Sequence, residues 1–206
     1  AVVSDYVKQQ TASKDVLPSD SLNRLWLVYF FTSLHLAHEL EEQKTDPKYV
    51  IDISPIACAM ELGSFVEVIT LIEEFDSKLT SPSRMAVTTG VLALGELLRV
   101  LRIMIEQEAE TTRTLGIRLA LKLFHDPGLV LNRVPSLISR YNPKTRPAKE
   151  LDALVNTGET LLSIVQTLAL SGTAIFVQSK RGMNRTKSKK KTKEVAEEPT
   201  SVGAER

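Results

Sequence analysis

From Ser19 onward, apolar residues recur every three or four positions. Leu22, Leu25, Trp26, Tyr29, Phe30, Leu34 and Leu36 follow this spacing, Glu39, Glu41 and Glu42 close the polar end, and a helix is predicted over about 20–43. The stretch Thr45–Asp52 reads as a connection. Ser54-Pro55 then offers an N-cap followed by a proline, whose missing N–H costs nothing at the first helical position. Residues 55–79 are apolar nearly all round, which predicts a helix covered on most sides. A second Ser-Pro start at 81–82 opens a third long helix to about Ala109, with Val91, Leu94, Leu97, Leu98, Leu101 and Ile105 as its apolar set. Shorter helices are predicted over about 111–125, closed by Asp126-Pro127-Gly128, and over about 129–140, kinked or shortened by Pro135. After the proline-bounded loop Tyr141–Pro147, a last helix spans about 148–170, with Glu150 in its first turn and Ser171-Gly172 as its stop.

Long helices with short connections predict an all-α fold. The expected architecture over 20–179 is an irregular α-solenoid of stacked antiparallel helices, HEAT/armadillo-like, with a compact bundle as the alternative. Helix starts near 20, 55, 82, 111, 128 and 148 give no fixed period. Residues 1–19 read as a lead-in or loop remnant, and Ala174–Val177 as a short β-prone anchor. The chain opens on Ala1 with no initiator methionine, as a piece of a longer protein would.

Charge changes this picture at the C-terminal end. The 26 basic and 25 acidic residues nearly cancel, yet residues 1–179 carry 17 basic and 21 acidic groups, while residues 180–193 carry eight basic and none acidic. The run is Lys180, Arg181, Arg185, Lys187, Lys189, Lys190, Lys191 and Lys193, and an acidic stretch follows it. Too little apolar surface lies there to offset chain entropy, so 180–206 is expected to be a disordered tail. Its cations are candidate DNA contacts, able to neutralise several phosphates without reading sequence. A nuclear-localisation signal or a solubilising linker is the alternative, and a nuclear location is expected.

Candidate chemistry is sparse. His35 and His38 lie beside Glu39 and Glu42, but the only other histidine is His125, so no metal site is expected. Acid pairs such as Glu41–Glu42 fall on polar helix ends. No nucleophile motif, phosphate loop or dinucleotide fingerprint occurs, so neither an enzyme nor a bound cofactor is expected. Cys58, alone in an apolar run, is expected to be a small buried thiol, which excludes an intrachain disulfide. Charge interrupts every apolar run before it can span a bilayer, and no signal-peptide pattern opens the chain.

In the C-terminal third, Leu137-Ile-Ser-Arg-Tyr-Asn-Pro143 is followed by the helix Pro147–Leu162 with its Leu-Asp-Ala-Leu-Val core, and then by Ile175-Phe-Val-Gln-Ser-Lys-Arg181 running into lysines. This succession resembles the Timeless family of replication-fork proteins. Leu25-Trp-Leu-Val-Tyr-Phe-Phe31 and Ile51-Asp-Ile-Ser-Pro-Ile56 also look like the family's Trp-Leu helix and the entry to the helix after it. Asn156 and Glu159 depart from the family's glutamate and histidine, as in a distant member. The resemblance implies the later part of a large helical-repeat domain, a Tipin-like small subunit as partner, travel with the replicative helicase, and a role in fork stability and the replication checkpoint. On the last helix, Leu151, Leu154, Val155, Leu161, Leu162, Val165 and Leu168 cover more circumference than one core stripe needs. They are the candidate partner-binding residues. Either the helix is sandwiched within this chain, or one strip docks a helix of the Tipin-like subunit.

Overall fold

The computed structural model describes residues 18–46, 48–78, 81–126 and 129–172. Among these residues the protein is all-helical. Six α-helices and one 3-10 turn occur: α1 (Pro18–Thr45), the 3-10 turn (Ser54–Ala59), α2 (Leu62–Asp76), α3 (Ser81–Glu106), α4 (Glu110–His125), α5 (Arg133–Ser139) and α6 (Ala148–Leu170). The lead-in as far as Leu17, the Ala174–Val177 anchor and the basic tail lie outside the described residues.

The long helix expected over 55–79 is two elements. Pro55 starts the 3-10 turn, and at Glu61 the backbone is extended (φ −101°, ψ 150°) before α2 begins. Ile56 and Met60 are buried before the break, and Phe65, Val68, Ile69, Ile72 and Phe75 after it. The apolar residues on every side therefore serve two axes. Pro135 produces no kink: it falls in the first turn of the short α5, where a missing N–H breaks no helical bond. Gly172 closes α6 in the left-handed region (φ 73°), a conformation that glycine adopts without a Cβ clash.

The core is built around α3. Between Val91 and Ile105 only Arg99 is exposed, and Val91, Leu94, Leu97, Leu98 and Leu101 are sealed from solvent. Each such side chain contributes about 2 kcal/mol through burial. Helices α1, α2, α4 and α6 all pack on α3, and α5 packs on α6. Ile72 of α2 and Leu25 of α1 meet at Gly90, Gly116 of α4 meets Met104, and Thr157 of α6 meets Gly95. At Gly95 an added Cβ would lie 2.8 Å from Thr157 Oγ1, so the close approach of α6 requires a glycine there.

By length and composition α6, with 23 residues, is apolar enough to cross a membrane, which the sequence reading had excluded. Its Leu154, Leu161, Ile164 and Leu168 pack into the core and Glu150 in its first turn is buried in an ion pair, while Val155, Leu162 and Leu170 are exposed.

Candidate interaction site

Helix α1 is apolar on two sides, and only one of them meets the core. Leu25, Thr32, Leu36 and Glu39 are buried, at a spacing that keeps them on the inner face. Trp26 (50% exposed), Leu27, Phe30, Phe31 (58%) and Leu34 (56%) stand on the outer one. Trp26 and Phe30 stack with ring centroids 4.9 Å apart, and Phe31 sits edge-on to Phe30 at 5.5 Å. Trp26, Phe30 and Leu34, expected on this helix from their spacing, lie on a different face from Leu25 and Leu36. The i, i+1, i+4, i+5, i+8 spacing from Trp26 to Leu34, beside a second apolar stripe, was the available signal.

The outer face continues into a groove of about 810 Å³ between α1 and the 3-10 turn, where Leu27, Phe31 and Leu34 face Pro55, Cys58 and Ala59. Cys58 is exposed there, not buried as expected, because the 3-10 turn directs Ile56 inward and leaves its neighbours facing out.

Polar side chains fix the groove's far end. His35 Nε2 donates to the Asp52 carbonyl at 2.6 Å. Buried Glu39 accepts from the Asp52 N–H at 2.8 Å and from the Tyr49 hydroxyl at 3.0 Å, while His38 Nδ1 lies 3.5 Å from its other oxygen. Burial pushes the Glu39 carboxyl up, but the Asp52 N–H, the Tyr49 hydroxyl and His38 together hold it below the ordinary carboxylate value. The Gln107 side chain donates to the Ile51 carbonyl at 2.8 Å and ties the same connection to α3. His35 and Glu39 thus brace the 49–53 connection, and His38 touches it only through Glu39. Among the described residues no group of three or more His, Cys, Asp or Glu side chains is placed to hold a metal ion.

The expected partner strip on α6 divides. Leu154, Leu161 and Leu168 are core residues, 0–4% exposed, because the face of α6 that carries them lies on α3. A partner cannot reach them without unfolding the domain. Val155 (50% exposed) and Leu162 (63%) remain on the outside, seven residues apart, with Leu151 and Val165 half-buried beside them. One face of the helix is therefore sandwiched within this chain, and the Val155–Leu162 face is left exposed. The candidate DNA contacts Lys180, Arg181, Arg185, Lys187, Lys189, Lys190, Lys191 and Lys193 lie outside the described residues.

A buried ion-pair cluster positions α6. Arg146 bridges Asp76 at the end of α2 and Glu150 in α6, the latter at 2.8 Å, and Arg140 holds the other Asp76 oxygen at 3.0 Å. Arg133 pairs with Glu73 nearby. Burial would lower the affinity of the Arg146 guanidinium for its proton, but Asp76 and Glu150 outweigh it and raise the pKa.

The chain matches no family model, no curated protein and no solved structure.

Proposed function

We propose that this chain is a non-enzymatic helical scaffold that holds protein partners on exposed apolar strips. The observation that carries the reading is the outer face of α1, where stacked Trp26 and Phe30 and their neighbours Leu27, Phe31 and Leu34 face solvent as one continuous stripe. Contiguous exposed apolar patches of this kind mark interaction sites on soluble domains. Exposed strips on both α1 and α6, the first and last long helices described, also fit stacked α-solenoid units, whose end faces are normally covered by a neighbouring unit.

The resemblance over residues 137–193 supports a more particular role. On this reading the chain is a Timeless-like segment of a replication fork-protection complex. It binds a Tipin-like subunit on the Val155–Leu162 side of α6 and acts near DNA and the replicative helicase in the nucleus, in fork stability and checkpoint signalling. Co-expression with a Tipin-like subunit tests it: the two should co-elute, Leu162→Asp should abolish co-elution while leaving helicity intact, and failure of the wild-type pair to co-elute would remove the family reading.

The concentrated basic run favours one further role, sequence-independent contact with nucleic acid. Neutralising Lys187, Lys189, Lys190, Lys191 and Lys193 should weaken duplex DNA binding, by a margin that shrinks as salt rises, with thermal stability unchanged. Unchanged affinity at low salt would reduce the run to a localisation signal.

A further inference from the structure

The α1 groove has a charge pattern as well as an apolar floor, and the two together define a partner. Leu27, Phe31 and Leu34 line the groove and Trp26 and Phe30 stand beside it; these five large side chains, each about 200 Å² and about half exposed, give an apolar patch of about 500 Å². One side of a standard interface buries about 800 Å², of which somewhat over half is apolar, so this stripe supplies the apolar content of one complete side. Its shape, a helix lying beside a short 3-10 turn with an open channel between them, suits a single helix laid lengthwise.

The ends of the stripe differ in charge. Near Trp26, Arg24 is engaged by Glu67 at 2.8 Å. Past Leu34, α1 continues into exposed Glu41 and Glu42, and exposed Asp52, beside His35, precedes the 3-10 turn at the same end. Lys44 is the one cation on that part of α1, and Glu41 holds it at 2.8 Å, while Lys48 lines a separate pocket against α3. His35 and His38 are committed to Asp52 and Glu39. The end of the groove beyond Leu34 is therefore negative.

We propose that the groove between α1 and the 3-10 turn receives an amphipathic helix of a partner protein, with apolar anchors at i, i+3 or i+4 and i+7, and lysines or arginines at the end lying past Leu34. This deepens, and rests on, the reading of the α1 outer face as a docking surface. Matching charge at one end fixes the orientation of the bound helix and excludes helices with acidic ends.

Trp26, the only tryptophan in the chain, stands on the stripe beside the groove, so its emission reports a helix that covers both, and the anisotropy of a labelled peptide reports the groove itself. Two synthetic 18-residue helical peptides with identical leucine anchors, one carrying four lysines at one end and the other four glutamates, are titrated into the full chain. The lysine peptide should shift Trp26 emission to the blue and bind saturably, and the glutamate peptide should bind at least ten-fold more weakly. Glu41→Gln with Glu42→Gln should weaken the lysine peptide about five-fold, and Phe31→Asp should abolish its binding with the helical circular dichroism unchanged. Equal binding of the two peptides overturns the charge assignment and leaves the docking surface standing. Binding of neither overturns both. Trp26 emission that is already blue at nanomolar concentration overturns the proposal in favour of a segment of this chain, and a blue shift that grows with protein concentration alone overturns it in favour of a second copy.

Discussion

Replacing Arg146 by alanine isolates the contact that joins α2 to α6. Arg146 is 16% exposed at its side chain and serves two carboxylates, Asp76 at 7% and Glu150 at 1%. Its removal leaves Asp76 with Arg140 alone and Glu150 with no cation in contact. Breaking a buried ion pair by deleting one partner costs about 3–5 kcal/mol. The lower end applies here, because Arg140 stays with Asp76 and water enters the space vacated by the guanidinium. For a domain of this size about 3 kcal/mol corresponds to a fall in Tm of about 10 °C. Arg146→Lys keeps the charge but cannot fork to both carboxylates, so it should lose about half as much. Urea denaturation followed by circular dichroism measures all of this. The decisive variant is Arg146→Met with Glu150→Gln, which removes both charges of the α6 pair and should be more stable than Arg146→Met alone. A loss below about 1 kcal/mol for Arg146→Ala, or strict additivity in the double variant, would show that the cluster does not hold α6 in place.

Gly95→Ala should destabilise by about 1–3 kcal/mol, because the new methyl meets Thr157 Oγ1, and Thr157→Ala in the same chain should recover much of that loss in a melting experiment. Two glutamates should give opposite pH responses. Glu39 is held below its ordinary pKa, so its stabilisation is present above the unfolded value and is lost as pH falls through the folded one; Glu39→Gln should flatten the acid limb of the Tm against pH curve. Burial raises Glu96, with Arg99 opposing weakly, so the domain gains stability as pH falls from the raised folded value toward the unfolded one, and Glu96→Gln should raise Tm more at pH 7 than at pH 4. An acid limb unchanged in Glu39→Gln, or a lower Tm at pH 7 in Glu96→Gln, would contradict these assignments.

Helix existence was legible along most of the sequence, and helix boundaries nearly so. α6 begins and ends where Pro147 and Ser171-Gly172 predict, and α4 closes at His125, just before Asp126-Pro127-Gly128. Those signals are local: a missing N–H or a left-handed turn stops a helix whatever surrounds it. The 55–79 error has the same origin seen from the other side, since an apolar run without a strong stop signal at Met60-Glu61 gives no local reason to divide it.

What the sequence by itself determined is the set of helices, their punctuation, the concentration of charge in 180–193 and the surplus of apolar side chains on α1 and α6. Which of those side chains became core was decided only by tertiary packing. Leu161 and Leu162 are adjacent and identical in type, yet one is 4% exposed and the other 63%, because α3 and α5 cover part of the circumference of α6 and nothing described covers the face that carries Leu162. Trp26 and Leu25 divide in the same way on α1. Periodicity states how many faces of a helix are apolar, but burial depends on where the neighbouring helix axes run, and those follow from contacts distant in sequence, such as Leu25 and Ile72 at Gly90 and Thr157 at Gly95.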